Sequence, residues 1–104
     1  MSEFTNEKTI RLSGRLRYRA VGDEGVLVHL ENGRVLVVNE VGLHIVQALG
    51  RQAMTPAALA DSVVREFEVD AVSARADVAV FLDQLRGEQV IDTTGPSGSG
   101  PAVG

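Results

Sequence analysis

Two histidines are the first candidates for acid–base or metal chemistry in this 104-residue chain, and neither has suitable neighbours. His29 lies in an apolar run, and His44 lies in a segment with helical periodicity. No carboxylate stands at a ligand-like spacing from either ring. The sequence contains no cysteine, which excludes disulfides, thiol nucleophiles, cysteine-ligated zinc and iron–sulfur clusters. We therefore interpret both histidines as core or surface residues.

Nucleophilic, phosphate-binding and paired-carboxylate motifs are also missing. Ser13, Ser62 and Ser73 have no nucleophile-elbow context. Gly22 and Gly25 flank a turn and form no phosphate loop. The fourteen Asp and Glu residues are scattered, and no pair stands out as a general acid and base. We expect no enzyme, no cofactor and no metal site.

The charges favour a peptide or protein partner over nucleic acid. The net charge is −4, and nucleic-acid binding draws much of its strength from cationic contacts to phosphate. Residues 8–22 hold five cations and no anion, which is either a solvated strand face or a patch for an acidic partner. No apolar run approaches the roughly 20 residues of a membrane helix, and no signal-peptide core is present. We expect a cytoplasmic protein without a membrane or nucleic-acid partner.

Alternating and β-branched residues predict a small sheet in the first half of the chain. The three predicted strands are residues 15–19, 25–30 and 34–38. Asn32 and Gly33, between two apolar runs, predict a two-residue type I′ hairpin that pairs Leu30 with Val35. Both faces of this hairpin are apolar, although an antiparallel sheet with one solvated face should alternate.

The last predicted strand has neither charge nor proline along residues 35–38 to protect its edge. Two interpretations follow from this pattern. A helix or a second copy of the chain covers the strand, or an extended peptide docks there by β-strand addition.

Caps and helical periodicity predict three helices after the sheet. The predicted helices run from Glu40 to Leu49 with Gly50 as the terminating residue, from Pro56 to about Phe67, and from Ala71 to Gly87. The order of three strands and three helices is α+β. The domain is predicted to span residues 11–92, between a flexible segment 1–10 and a disordered Gly/Ser/Pro tail 93–104.

The order and spacing of these motifs resemble the PqqD-like family, the peptide chaperones of pyrroloquinoline quinone biosynthesis and their relatives. The residues that carry the resemblance are Val38-Asn39, Val41-Gly42-x-x-Ile45-Val46-x-x-Leu49-Gly50, and Asp77-Val78-x-x-Phe81-Leu82-x-x-Leu85. The resemblance covers about residues 15–91 and implies a winged helix-turn-helix-like fold. It also implies a non-enzymatic recognition element for ribosomally synthesised, post-translationally modified peptides (RiPPs). Such an element presents a precursor leader peptide to a separate maturation enzyme, often a radical SAM enzyme.

The resemblance also implies a binding site, because the leader in this family adds as a strand beside strand three, in a groove against helix three. Carried over, the strand residues are Arg34, Val35, Leu36, Val37 and Val38, and the helix residues are Arg75, Val78, Ala79, Leu82 and Arg86. The three arginines would read acidic leader residues. The pattern leaves open which face of the strand lines the groove.

Two other functions fit the same pattern of elements. One is a winged-helix DNA-binding regulator, which is disfavoured because residues 61–92 hold eight acids against three arginines. The other is a small homodimeric adaptor that closes its own edge strand.

Overall fold

The computed structural model describes residues 8–94, and its elements follow the predicted order with one strand added at each end. The elements are β1 (Thr9–Leu12), β2 (Leu16–Val21), β3 (Glu24–His29), β4 (Val35–Val38), α1 (Glu40–Arg51), α2 (Pro56–Phe67), α3 (Ala71–Gly87) and β5 (Ile91–Thr94). Strands β2, β3 and β4 form an antiparallel sheet in that order, and three helices follow. The α+β fold class is therefore confirmed.

Strands β1 and β5 form a second, two-stranded antiparallel sheet that the sequence pattern did not predict. Thr9 pairs with Thr94, so the domain extends two residues beyond the predicted limits 11–92 at each end. Ile10 is fully buried, and its backbone exchanges hydrogen bonds of 2.7 and 2.9 Å with Met54. A four-residue strand whose partner lies at the other end of the chain leaves little local signal. The rest of the predicted flexible segment and tail, residues 1–7 and 95–104, lies outside the described residues.

The hairpin between β3 and β4 forms, but five residues separate the two strands, and the predicted two-residue turn is not made. Val35 pairs with Val28, where the type I′ turn predicted Leu30. That turn needs a positive φ at both central residues, and Gly33 has one of 73° whereas Asn32 does not. The Leu30 N–H donates instead to the carbonyl of the residue before β2, at 2.8 Å. Because the register moves by two residues, every side chain keeps its predicted face.

The helices cover one face of the three-stranded sheet and leave the other face open. On the covered face Leu16, Leu27 and His29 are buried, at 6%, 0% and 4% exposure. On the open face Val35 and Val37 are 60% and 64% exposed. The hydrophobic core therefore lies between one sheet face and the helices, and the apolar residues of the other face remain in contact with solvent.

Each helix begins at the polar cap that the sequence predicts. The side chains of Asn39, Thr55 and Asp70 accept hydrogen bonds from the backbone N–H three residues later, at 2.9, 3.1 and 3.3 Å. Helix α1 continues through Gly50, which was predicted to terminate it. A Cβ at that glycine would lie 2.5 Å from the Tyr18 hydroxyl oxygen, so the glycine allows close packing on β2. Among residues 8–94, no helix combines the length and apolar character needed to span a membrane.

Candidate functional site

Strand β4 lies at the edge of its sheet, and no strand within residues 8–94 pairs with its other side. At the start of the hairpin, the His29 N–H donates to the Arg34 carbonyl at 2.9 Å. Bonded and non-bonded pairs alternate along an antiparallel ladder, so the backbone polar groups of Leu36 face β3. Those of Val35 and Val37 face away from the sheet. The edge therefore presents an unpaired row of donors and acceptors.

Two adjoining cavities lie between this edge and the helices. The first, of about 340 Å³, separates α1 from α3 and is lined by Asn39, Val41, Gly42, Ile45, Asp77, Val80, Phe81 and Gln84. The second, of about 410 Å³, opens beside β4 and is lined by Glu24, Val37, Val38, Asn39, Phe81 and Gln84. Asn39, Phe81 and Gln84 line both cavities, so together they form one groove that runs from the β4 edge to the start of α1.

The wall of the groove on α3 is a polar and aromatic stripe. Asp77, Phe81, Gln84 and Glu88 follow one another at spacings of four, three and four residues, which places them on one side of the helix. Asp77, Phe81 and Gln84 line the cavities, and Glu88 reaches Arg34 at the beginning of β4. This stripe was not predicted, although its i, i+4, i+7 spacing is visible in the sequence.

The helix residues predicted for the groove lie elsewhere on α3. Val78 and Leu82 are 1% and 0% exposed and belong to the hydrophobic core, so they offer no surface to a ligand. Ala79 is partly buried and is absent from the lining of both cavities. The family resemblance implied a groove wall at these positions, whereas apolar periodicity identifies the side of a helix that faces the core. The groove wall lies beside that buried side of the helix and does not coincide with it.

Arg75 and Arg86 also lie away from the groove. Arg75 precedes Asp77 by two residues and Arg86 follows Gln84 by two residues, and two residues turn an α-helix by about 200°. Both arginines are exposed on the opposite flank of α3. The structure therefore does not bring them to the position from which they would read acidic leader residues.

Arg34 is at the groove, but it already has a partner. Its guanidinium makes two contacts with the Glu88 carboxylate, Nε to Oε1 at 2.7 Å and Nη2 to Oε2 at 2.8 Å. The Arg34 side chain is 60% exposed, so the pair contributes about 1 kcal/mol or less to stability. It links the start of β4 to the end of α3, and an acidic ligand would have to displace Glu88.

Gly42 sets the close approach of α1 to β4 and α3. A Cβ there would lie 2.9 Å from the Val38 Cβ and 3.0 Å from the Phe81 Cζ. Gly42→Ala gains about 1 kcal/mol of helix propensity, but overpacking at a tight contact costs about 1–3 kcal/mol. We expect a lower melting temperature by circular dichroism. Gly87→Ala is the matched control, because nothing lies within 4 Å of its Cβ position. A Gly42→Ala variant that melts above wild type would contradict the packing described.

Both histidines have structural partners. The buried His29 ring accepts a hydrogen bond at Nδ1 from the Glu31 N–H, at 3.2 Å. His44 Nε2 lies 2.6 Å from Ser62 Oγ and joins α1 to α2, and its ring packs edge-on against Phe67. Within residues 8–94, no group of three or more His, Asp or Glu side chains is arranged to hold a metal ion. The interpretation of the histidines as core and surface residues agrees with these contacts.

The chain matches a known protein family over most of its length. The family model described as coenzyme PQQ synthesis protein D (PqqD) matches residues 24–91. This range runs from the start of β3 to the first residue of β5. No curated protein sequence matches the chain.

Three solved structures share its fold. TbiB1 in complex with the TbiA(beta) leader peptide is 24% identical, with 88% of this chain and 99% of that chain covered and a TM-score of 0.71. Lasso peptide synthetase B1 complexed with the leader peptide is 24% identical, with 80% of this chain and 96% of that chain covered and a TM-score of 0.68. The PqqD truncation of Methylobacterium extorquens PqqCD, a RiPP recognition element, is 18% identical, with 88% of this chain and 96% of that chain covered and a TM-score of 0.72.

Proposed function

Because the chain belongs to the PqqD family, we propose that it binds the leader of a ribosomally synthesised precursor peptide and presents it to a separate maturation enzyme. The observation that carries this proposal is the unpaired edge of β4 beside the groove. The outward N–H and C=O groups of Val35 and Val37 would pair with an antiparallel leader strand. Main-chain bonds of this kind give affinity that tolerates sequence differences. Two structures with the same fold are complexes with leader peptides, which supports this reading.

The inner face of β4 is the face that we assign to the groove. Leu36 and Val38 are partly buried against the core, and Val38 also lines the cavity beside β4. Alternate side chains of an added strand would point the same way, into the cavity that Phe81 and Gln84 share. That cavity of about 410 Å³ has room for a large apolar side chain.

The charge of the groove favours apolar, neutral polar or basic leader side chains. The ionisable residues that line the two cavities are Glu24 and Asp77, and no cation accompanies them there. Arg34 is occupied by Glu88. We therefore replace the expectation of an acid-reading site with one in which acidic leader residues bind less well.

We propose that the chain itself is not catalytic and needs no cofactor. In this scheme it supplies the leader site, and the maturation enzyme, of the radical SAM or another class, supplies the chemistry in trans. A precursor peptide is synthesised by ribosomes in the cytoplasm and would be bound there, so a cytoplasmic location is part of the proposal.

DNA binding fits the structure less well than leader binding. The side of α3 that faces the groove carries Asp77 and Glu88, which would repel phosphate. The two arginines of α3 lie on the opposite flank. A recognition helix would need cationic and amide side chains together on one exposed side.

Titration of the isotopically labelled chain with a synthetic leader, taken from the precursor encoded beside its gene, tests the proposed function. We expect amide shift changes at residues 34–38 and along residues 77–88, and weaker binding of a scrambled leader, whose apolar side chains no longer match the cavities. Changes confined to residues 11–19, or to the outer sides of α1 and α2, would contradict the groove. A constant dimer in which β4 is protected before any leader is added would favour the homodimeric adaptor instead.

A further inference from the structure

The open face of the three-stranded sheet carries two regular rows of side chains, and Val37 is the one member of these rows that also lines the proposed leader groove. Strand pairing aligns residues across β2, β3 and β4 in these rows. One row is Arg17, Val28 and Val35, and the other is Arg19, Val26 and Val37. Each row begins with a cation on β2 and ends with an exposed valine on β4. We call these six residues the Arg–Val face.

The arginines of the Arg–Val face are not neutralised by any carboxylate within residues 8–94. The Arg17 guanidinium donates to the backbone carbonyls of Leu16 and Gly14, at 3.1 and 3.5 Å. The Arg19 side chain makes no hydrogen bond or ion pair with another described residue. By contrast, the neighbouring Arg15 is paired with Glu31. Two guanidinium groups without a carboxylate partner among the described residues therefore stand beside a solvent-exposed apolar strip.

We propose that the Arg–Val face docks the maturation enzyme, through an enzyme surface with an apolar centre and a pair of carboxylates along one side. Arg17 and Arg19 are two residues apart on one strand, a separation of about 7 Å. Carboxylates at i and i+4 on a helix, roughly 6 Å apart, match that spacing. This inference rests on the proposed function, because it assigns a second surface to the same leader-presenting module.

A second copy of the chain fits the Arg–Val face less well. Face-to-face packing of two copies would bury four arginines, and the acid on the same face is Glu24, one in each copy. At least two cations would then be desolvated without partners, which is costly.

A bound leader would enlarge the Arg–Val face. A strand added to β4 contributes one more side chain to each row, beyond Val35 and Val37. The enzyme would then contact the domain and the leader as one continuous sheet surface. The inference therefore includes a coupling, in which the leader-bound chain binds the enzyme more tightly than the free chain does.

The test uses the full chain with the purified maturation enzyme encoded beside its gene, and the synthetic leader as a second probe. We expect Arg17→Glu combined with Arg19→Glu to weaken enzyme binding by at least about tenfold, and to leave leader affinity within about twofold. Arg51→Glu with Arg65→Glu is the control, because it makes the same charge change at exposed helix ends. Circular dichroism checks that both variants fold.

A second variant tests the apolar part of the Arg–Val face. Val26→Thr combined with Val28→Thr keeps shape and β propensity on a strand that the leader does not touch, and should also weaken enzyme binding. Unchanged enzyme affinity in both face variants, or an equal loss in the control, overturns the inference. So does a wild-type chain that fails to bind the enzyme, or a dimer that Arg17→Glu and Arg19→Glu dissociate. Loss of leader binding in every variant and in wild type would instead contradict the proposed function alone.

Discussion

Val37→Pro should weaken leader binding markedly while leaving the domain folded. The outward N–H of Val37 is a donor that an added strand would use, and proline removes it and places a ring in the path of that strand. Losing one main-chain bond at a packed edge costs about 1–3 kcal/mol, which weakens the dissociation constant about 5- to 150-fold. Fluorescence anisotropy with a labelled leader measures the loss, and circular dichroism shows whether the fold survives.

Two neighbouring substitutions make the Val37→Pro experiment decisive. Val37→Thr keeps the N–H and the side-chain shape, so it should bind the leader nearly as wild type does. Leu36→Pro removes a donor that pairs with β3, so it should unfold the hairpin. Leader affinity of Val37→Pro equal to that of Val37→Thr would contradict strand addition at this edge.

The register of the β3–β4 hairpin differs by two residues from the one that the sequence predicted, and this shift leaves the same β4 donors facing outward. Asn32 and Gly33 gave the correct hairpin and the correct faces, because both faces follow from the two-residue period of a strand. They did not predict the length of the loop, because the Leu30 N–H donates to the carbonyl of the residue before β2 and does not pair with β4. Local sequence predicts the turn region, whereas competition between two neighbouring strands decides which residues pair.

The helix caps and the second sheet show the same division between local and distant information. Asn39, Thr55 and Asp70 act on backbone within three residues, so the sequence predicted all three helix starts. Strand β1 depends on β5, about 80 residues away in the chain, and on the backbone of Met54. Residue patterns over four positions cannot show such a pairing.

The α3 wall of the candidate site was missed for a related reason. Apolar periodicity identified the buried side of α3 correctly, and Val78 and Leu82 are in the core. The groove instead uses the boundary of that side, where Phe81 is half-buried and Gln84 is exposed. The rotation of the helix against the sheet decides which edge of its buried side faces β4. The family resemblance implies a groove between β4 and α3, but it does not specify that rotation.

Leu82→Asp should therefore unfold the domain instead of acting on the groove alone. Leu82 is 0% exposed, so the change removes buried apolar packing worth about 2–5 kcal/mol. It also buries an unpaired carboxylate, at a further cost of several kcal/mol. Together these losses approach the whole stability of a small domain, about 5–15 kcal/mol. We expect loss of the cooperative melting transition in circular dichroism.

The control for Leu82→Asp is Gln84→Ala, a change on the exposed groove side of the same helix turn. Gln84 lines both cavities and makes no packing contribution to the core, so this variant should melt like wild type. Its leader affinity should fall by a few fold, since one side-chain hydrogen bond contributes about 1 kcal/mol. A cooperatively folded Leu82→Asp variant that has lost only leader binding would show that Leu82, and not Gln84, faces the ligand. That outcome would return the groove to the stripe that the family resemblance implied.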